Sequence, residues 1–141
     1  YLTAELRRRD IPTVTFLGAR TAARVVRRGL VNLQVATDDG SEGFHGNVID
    51  CLDAYLASVA VDRPMIFACG PNPMLKATQA YALEHDIPCE LSLESEMACG
   101  IGICQGCPIE KHHGERKYSL VCTEGPCFDS HDIIFHEHHH A

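Results

Sequence analysis

The stretch Met-Ile-Phe-Ala-Cys-Gly-Pro-Asn-Pro-Met, residues 65–74, decides the fold class of this chain. Its first half is a continuous apolar run, which is typical of a strand buried in a parallel sheet. A Gly-Pro pair ends the run, and Asn72 and Pro73 suit the N-cap and N1 positions of a helix over 74–84. A strand, a tight turn and a helix in this order form the repeating unit of an α/β fold.

The same alternation of strand and helix extends to both sides of this stretch. Apolar residues at helical spacing predict helices, and short β-branched or aromatic runs between turn residues predict strands. Because parallel strands need crossover connections, the alternation predicts a parallel sheet with helices on both faces. The expected helices cover 1–9, 20–28, 48–59 and 74–84, and the expected strands cover 13–17, 32–37, 65–69 and 89–93.

The pattern of the sequence changes near residue 94, where we place a domain boundary. Two short runs, 109–111 and 117–121, flank a glycine turn and predict a hairpin, and 132–135 predicts one more short strand. We therefore expect an α/β domain over 1–93, a small β-rich domain over 94–135 and an unstructured His-rich tail over 136–141.

Four cysteines in the second domain carry the strongest functional signal. Cys99, Cys104 and Cys107 have the spacing C-x4-C-x2-C, and Cys122 follows after a short insert. This is the plant-type spacing for a [2Fe–2S] cluster. The intervening glycines let the backbone turn sharply and bring N–H groups close to sulfur. We predict that these four thiolates bind such a cluster. A structural zinc site is the alternative, although zinc usually takes two paired arms and only one is present.

The other cysteines and the histidines give weaker signals. Cys127 could replace Cys122 as a ligand, but its position after a Gly-Pro pair favours a small buried side chain. Cys51 and Cys89 are expected to fill core space. No nucleophile–base pair or carboxylate dyad is recognisable, and electron transfer needs none, because the cofactors perform the chemistry. Isolated histidines are expected at the surface or in packing roles, namely His45, His85 and His131.

Composition and charge exclude several classes of protein. The net charge of −7 argues against non-specific nucleic-acid binding, because that binding requires a basic face. No apolar run approaches the roughly 18 residues of a membrane span, and residues 1–10 are charged rather than signal-like. The eight cysteines do not indicate a secreted disulfide scaffold, because four have metal-type spacing within an α/β chain. We expect a cytoplasmic protein.

Turns that follow the predicted strands indicate a nucleotide site. Cys69 and Gly70 lie at the carboxyl end of a strand, where open α/β sheets bind ligands, although an ordinary helix start has the same residues. Arg20 follows an earlier strand and could contact a ribose or a phosphate. Asp38 and Asp39 end the next strand, and their charge disfavours an additional phosphate, which favours NAD over NADP. The usual G-x-G-x-x-G fingerprint is absent from the sequence.

Taken together, these motifs resemble the ferredoxin–NADP reductase superfamily. Residues 18–21, 37–41 and 69–74 resemble its pyridine-nucleotide domain. The segment 92–102, which leads into the four cysteines, and the closing motif 125–128 narrow the resemblance to the electron-transfer subunit of type B dihydroorotate dehydrogenase. Two positions depart from the pattern of that family: Glu96 stands where relatives carry a basic residue, and Cys127 where a valine is commoner.

The resemblance implies a function and a set of site residues. In such a subunit, FAD and a [2Fe–2S] cluster pass electrons between an FMN-bearing catalytic subunit and NAD⁺, and so couple dihydroorotate oxidation to NADH formation in pyrimidine biosynthesis. The four cysteines would be the cluster ligands. Cys69 and Gly70 would lie beside the nicotinamide, with Arg20 and Asp39 nearer the ribose.

The resemblance also implies that parts of the family pattern are missing here. The flavin-binding barrel and the first strand of the nucleotide domain come earlier in the family than the residue that is Tyr1 in this sequence. We therefore expect a nucleotide domain incomplete at its N-terminus, and a fragment that neither holds FAD nor is active by itself. Another reductase of the superfamily and a zinc-stabilised interaction module stay open as alternatives.

Overall fold

The computed structural model describes residues 1–114 and 116–136. The chain has the predicted α/β class, and its contacts divide it into two compact units, Tyr1–Val61 and Asp62–Ala141. The predicted boundary near residue 94 follows the change in sequence pattern and stays a prediction. Residues 137–141 of the predicted His-rich tail lie outside the described residues.

The first unit is built on a small parallel sheet. Strand β2 lies between β1 and β3 and runs parallel to both, with Leu17 opposite Val35 and Ala36 opposite Phe44. The predicted first helix, both predicted strands and the later helix are confirmed within two residues, whereas β3 was not predicted. The elements are α1 (Leu2–Arg8), β1 (Thr15–Ala19), β2 (Leu33–Thr37), β3 (Phe44–His45) and α2 (Val48–Ser58).

Helix α2 begins at a side-chain cap and packs against β1. Asn47 Oδ1 accepts hydrogen bonds from the N–H groups of Ile49 at 2.9 Å and Asp50 at 3.0 Å. These bonds satisfy two donors that a helix start would otherwise leave unpaired. On the helix, Tyr55 meets Phe16 of β1 edge to face, with ring centroids 5.3 Å apart. Aromatic pairs favour this geometry, so the contact fixes the helix on the sheet.

The predicted helix over 20–28 is wrong. Only a short 3₁₀ turn forms, Ala22–Arg24, and Val25 already has an extended backbone with ψ 118°. The pair of β-branched residues Val25 and Val26 has low helix propensity, because each side chain loses rotamer freedom in a helix. In addition, the N–H of Ala22 donates to the Ser41 hydroxyl at 2.8 Å, so the turn is tied to a distant loop.

The second unit contains two three-stranded sheets. In the first, β5 lies between a parallel β4 and an antiparallel β8; in the second, β6 lies between β7 and β9, antiparallel to both. The predicted strands, the hairpin and the last short strand are confirmed, whereas α4 and β8 were not predicted. The elements are β4 (Ile66–Cys69), α3 (Asn72–Glu84), β5 (Cys89–Ser92), β6 (Pro108–Lys111), β7 (Tyr118–Leu120), α4 (Val121–Glu124), β8 (Cys127–Asp129) and β9 (Ile133–Ile134).

Helix α3 begins at Asn72, two residues before the predicted start at 74. Pro71 is its N-cap and makes no side-chain cap hydrogen bond, so the predicted capping role of Asn72 is wrong. Asn72 already belongs to the helix, and a residue with helical backbone angles is not placed to cap its own first turn. The rigid ring of Pro71, with φ −59°, sets the chain direction at this point instead.

Strand β4 is half exposed, which corrects the prediction of a fully buried strand. Ile66 and Ala68 pack against the core of the second unit, whereas Phe67 and Cys69 are exposed. Among the described residues β4 has β5 as its one neighbour, so it is an edge strand in its sheet. The core beneath it consists of Leu75, Ala82, Cys89, Leu91, Leu93, Cys107, Val121, Phe128 and Ile133.

Within the described residues, no helix is long and apolar enough to cross a membrane.

Candidate metal centre and nucleotide site

The fold of the second unit brings the four predicted cluster cysteines to one end of the β6–β7 hairpin. Cys99 and Cys104 lie on the loop after β5, Cys107 directly precedes β6, and Cys122 lies on α4 directly after β7. The N–H of Val121 donates to the carbonyl oxygen of Cys107 at 3.0 Å, which closes the hairpin. The insert between the third and fourth cysteines therefore folds back and returns Cys122 to the others.

The four thiols are arranged as two pairs. The N–H of Cys104 donates to Cys99 Sγ at 3.4 Å, and the N–H of Cys122 donates to Cys107 Sγ at 3.5 Å. The two thiols of each pair also share a hydrogen bond, and none of the four forms a disulfide. A [2Fe–2S] core takes four protein thiolates, two on each iron. Two thiol pairs, one on the loop after β5 and one joining the start of β6 to α4, fit that requirement.

Backbone N–H groups make this loop favourable for thiolates. Hydrogen bonds to Cys99 from the N–H of Cys104 and then of Ile101, together with the Cys104 thiol, lower the pKa of Cys99 to about 6. The thiol of Cys107 hydrogen-bonds to Cys122 and raises the pKa of Cys122. Because metals bind the thiolate form, N–H donors aimed at sulfur support a metal centre here.

Two glycines of this loop have left-handed backbone angles, which let the chain turn sharply. Gly100 has φ +67° and Gly102 has φ +81°, conformations that cost little only for glycine. Gly102 also approaches α4 closely, since a Cβ built there would lie 3.2 Å from Thr123 Cγ2. Within the loop, Gln105 Nε2 donates a hydrogen bond to the carbonyl oxygen of Gly102 at 2.6 Å.

The loop lies at the surface and is partly apolar. Cys107 is buried, Cys104 is exposed, and the side chains of Ile101 and Ile103 are 67% and 78% exposed. Within residues 1–114 and 116–136, no three or more His, Cys, Asp or Glu side chains surround a point suited to a single metal ion. Among these described residues the structure thus shows two thiol pairs, and the choice between a [2Fe–2S] core and the zinc alternative rests on the cysteine spacing.

Cys127 does not have the environment expected from the sequence. It is exposed at the start of β8, so the prediction of a buried side chain is wrong. The Gly-Pro pair before it starts a strand that pairs with β5, and this long-range pairing turns Cys127 away from the core. The predictions for Cys51 and Cys89 are confirmed, since both are buried. Of the surface and packing roles predicted for the isolated histidines, the structure shows the surface one, since His45, His85 and His131 are all exposed.

In the first unit, the structure brings Arg20 and Asp39 together at the carboxyl ends of β1 and β2. The N–H of Asp39 donates to the Arg20 carbonyl at 3.3 Å. The Asp39 carboxylate accepts hydrogen bonds from the Ser41 hydroxyl at 2.5 Å and from the Ser41 N–H at 3.0 Å. These bonds, the hydroxyl first, hold the pKa of Asp39 below its usual range. Asp39 thus presents a fixed, ionised carboxylate beside an exposed arginine, a pair able to bind ribose hydroxyls and a phosphate.

In the second unit, Cys69 and Gly70 lie where β4 leads into α3. Cys69 is exposed as the last residue of the strand. Gly70 has Met74 directly beside it, because a Cβ built on Gly70 would lie 2.8 Å from Met74 Cε. The glycine therefore keeps the backbone flat and accessible at a strand end, the position at which α/β sheets bind ligands.

Comparison with known proteins agrees with this geometry. Residues 94–134 match the family described as the iron–sulfur cluster binding domain of dihydroorotate dehydrogenase B. The chain is 33% identical over 141 residues to the dihydroorotate dehydrogenase B (NAD(+)) electron transfer subunit of Desulforamulus reducens, covering 96% of this chain and 53% of that protein. It is 34% identical to the Bacillus caldolyticus subunit of the same name, covering 94% of this chain and 51% of that protein.

A third relative and a solved structure extend the comparison. The probable dihydroorotate dehydrogenase B electron transfer subunit of Methanopyrus kandleri is 36% identical, over 90% of this chain and 47% of that protein. The structure of an NADH-dependent reduced ferredoxin–NADP oxidoreductase superposes with a TM-score of 0.70 and 28% identity, covering 83% of this chain and 42% of that one. The chain spans about half the length of the curated relatives that it matches. Over nearly its whole length the chain is therefore similar to dihydroorotate dehydrogenase B electron transfer subunits, and its residues 94–134 match the iron–sulfur cluster binding domain of that enzyme.

Proposed function

We propose that this chain is the part of an electron-transfer subunit that binds NAD(H) and a [2Fe–2S] cluster. The whole subunit would carry electrons between an FMN-bearing catalytic subunit, which oxidises dihydroorotate in pyrimidine biosynthesis, and NAD⁺, with FAD between them. The observation that carries the proposal is the arrangement of four thiols as two N–H-supported pairs at one end of the β6–β7 hairpin. The names of the relatives support the substrate and the nucleotide.

The cluster would be held by Cys99 and Cys104 on one side and by Cys107 and Cys122 on the other. When bound, it supplies one-electron transfer. The chain contributes the thiolates, the N–H donors that stabilise negative charge on sulfur, and the position at the surface. Because the loop is exposed through Ile101 and its neighbours, electrons can leave to a partner without crossing a thick protein layer.

Each of the two units offers residues suited to one part of the nucleotide. In the first unit, the ionised Asp39 suits ribose hydroxyls and Arg20 suits a phosphate. In the second unit, Cys69 and Gly70 suit the nicotinamide, because they leave an open strand end without a charged side chain. A carboxylate at the ribose disfavours the additional phosphate of NADP, so we propose NAD as the nucleotide.

The functional division would follow the sequence boundary, with the nucleotide domain over 1–93 and the cluster domain over 94–135. FAD would bind in the whole subunit, and the FMN-containing catalytic subunit would complete a hetero-oligomer. Free thiols and a role in pyrimidine synthesis are consistent with the cytoplasm.

Variants of the full-length subunit, purified together with its partner, test this proposal. Cys104→Ser should abolish the iron–sulfur absorbance and dihydroorotate-dependent NADH formation, because it removes one ligand. Cys127→Ser is the matched control, since Cys127 is exposed but belongs to neither thiol pair, and it should leave iron and acid-labile sulfide unchanged. A colourless wild-type protein that contains zinc, or loss of the cluster in Cys127→Ser alone, would refute the ligand assignment.

A second candidate function is that of another NAD(P)H-dependent reductase with a different electron partner. The structural similarity to an NADH-dependent reduced ferredoxin–NADP oxidoreductase favours it. Identification of the subunit that purifies with the full-length protein separates the two. An FMN-bearing partner that oxidises dihydroorotate supports the first proposal, and a partner without that activity supports the second.

A further inference from the structure

Three side chains form one row across the sheet of β4, β5 and β8. Cys69 lies opposite Ser92, and Ser92 lies opposite Cys127. Residues that are directly opposite in neighbouring strands project from the same face of the sheet. We call Cys69, Ser92 and Cys127 the thiol row. It places one thiol on each side of the Ser92 hydroxyl, at the carboxyl ends of β4 and β5.

Burial confirms that the thiol row is on the open face of this sheet. The residues that alternate with it, Leu91 and Phe128, are buried at 0% and 9% exposure in the core of the second unit. Cys69 and Cys127 are exposed, and Ser92 is half-buried. Strand alternation thus separates a core face from a face that a ligand can reach.

The length of the thiol row suits a ligand rather than a disulfide. Neighbouring strands lie about 4.8 Å apart, so the backbones of Cys69 and Cys127 are about 10 Å apart. A disulfide needs Cα atoms closer than about 7 Å, and both thiols are free. A nicotinamide ring with its ribose is long enough to cover all three side chains.

The chemistry of the thiol row suits a flat aromatic ring. Sulfur is polarisable and packs favourably against aromatic rings, and the Ser92 hydroxyl offers a donor and an acceptor between the two thiols. The row carries no carboxylate or ammonium group. Glu90 and Asp129 follow on the same face one row further back, where their charges favour the cationic ring of the oxidised nucleotide.

We propose that the thiol row is the surface on which the nicotinamide end of the dinucleotide lies, and that Cys127 contacts it. The inference rests on the proposed function, which places Cys69 beside the nicotinamide, and extends that site across two more strands. Cys127 then has a binding role that is separate from cluster ligation.

Alkylation with N-ethylmaleimide tests this contact in the full-length subunit, purified with its cofactors. Modification of each cysteine is followed by mass spectrometry, with and without NADH under anaerobic conditions. NADH at about a hundred times its Kd should slow alkylation of both Cys69 and Cys127 by about tenfold or more. As a control, Asp129→Cys combined with Cys127→Ser places a thiol on the same strand and face, about 7 Å further back, and NADH should not protect it.

Each outcome of this experiment decides between the two proposals. Protection of Cys69 without Cys127 overturns the inference and leaves the proposed function intact. If NADH protects neither Cys69 nor Cys127, both the inference and the nicotinamide site of the proposed function are overturned. Equal protection of the control thiol shows general covering of the face and also overturns the inference.

Kinetics provide a second measurement that does not depend on thiol reactivity. Cys127→Phe places a bulky ring at the end of the thiol row and should raise KM for NADH about tenfold, with iron content unchanged. Cys127→Val keeps a small side chain but removes the sulfur, so it should raise KM less than Cys127→Phe does. An unchanged KM in Cys127→Phe overturns the inference.

Discussion

The backbone of the cluster loop makes a quantitative prediction about two of its glycines. Gly100 and Gly102 have similar positive φ values, +67° and +81°. They differ in their surroundings, because a Cβ on Gly100 would meet nothing within 4 Å, whereas a Cβ on Gly102 would lie 3.2 Å from Thr123 Cγ2. Substitution by alanine therefore isolates the backbone cost at one position and adds a steric cost at the other.

The magnitudes follow from these two contributions. A left-handed backbone costs alanine about 1–2 kcal/mol, so Gly100→Ala should increase opening of the loop about five- to thirtyfold. Gly102→Ala has the same backbone cost and a further overpacking cost of about 1 kcal/mol against Thr123, or another fivefold. Thr123→Ser removes the clashing methyl group and should return Gly102→Ala to the level of Gly100→Ala.

The assay is the rate at which a strong iron chelator bleaches the visible absorbance of the cluster. When the loop opens and closes quickly relative to iron capture, this rate follows the population of the open loop. The rate of bleaching should be lowest in the wild type, higher in Gly100→Ala and highest in Gly102→Ala. Equal rates for the two alanine variants, or no rescue by Thr123→Ser, would refute the role assigned to the close approach between the loop and α4.

Three further predictions concern a partner surface, a helix cap and a titration. Ile103→Glu, at a side chain that is 78% exposed, should retain iron but slow electron transfer to the catalytic subunit. Val26→Glu, at a site in the first unit that is 68% exposed, should leave the rate of electron transfer unchanged. Stopped-flow measurement of cluster reduction compares the two variants. Asn47→Ala should lower the free energy of unfolding by about 1 kcal/mol in a denaturant titration, because two N–H groups of α2 lose their acceptor. Ser41→Ala should raise the pKa of Asp39, as measured by NMR titration, because the hydrogen bond from the Ser41 hydroxyl is the main cause of the lowered pKa. The stabilisation from that bond is present above the ordinary aspartate pKa and is lost as the pH falls through the pKa of the folded state. The free energy of unfolding should therefore fall less steeply with decreasing pH in the variant than in the wild type.

Local sequence patterns predicted most of the elements and singled out the four cysteines that we propose as cluster ligands. The spacing of Cys99, Cys104 and Cys107 and the glycines between them identify a loop whose chemistry is specified over a few residues. The side-chain cap at Asn47 is likewise local, because the N-cap interaction involves only neighbouring backbone groups. The run from Met65 to Met74 gave the right order of strand and helix for the same reason.

The errors occurred where distant contacts determine the conformation. The segment 20–28 has helical spacing, but the Ser41 hydroxyl takes the N–H of Ala22 and the chain extends from Val25 onward. Strand β8 has too short a pattern to be recognised, and only its pairing with β5 makes it a strand. That pairing exposes Cys127, which its position after the Gly-Pro pair predicted to be a small buried side chain.

The sequence by itself determined the α/β class, the positions of most helices and strands, and the four thiols that suit a [2Fe–2S] cluster, because these depend on spacing and propensity within short segments. Only the tertiary structure decided that the thiols form the pairs Cys99–Cys104 and Cys107–Cys122, and that Cys127 joins Cys69 on an open sheet face. Strand register and hairpin closure set both arrangements, and they arise from hydrogen bonds between residues far apart in the chain, which no local pattern specifies.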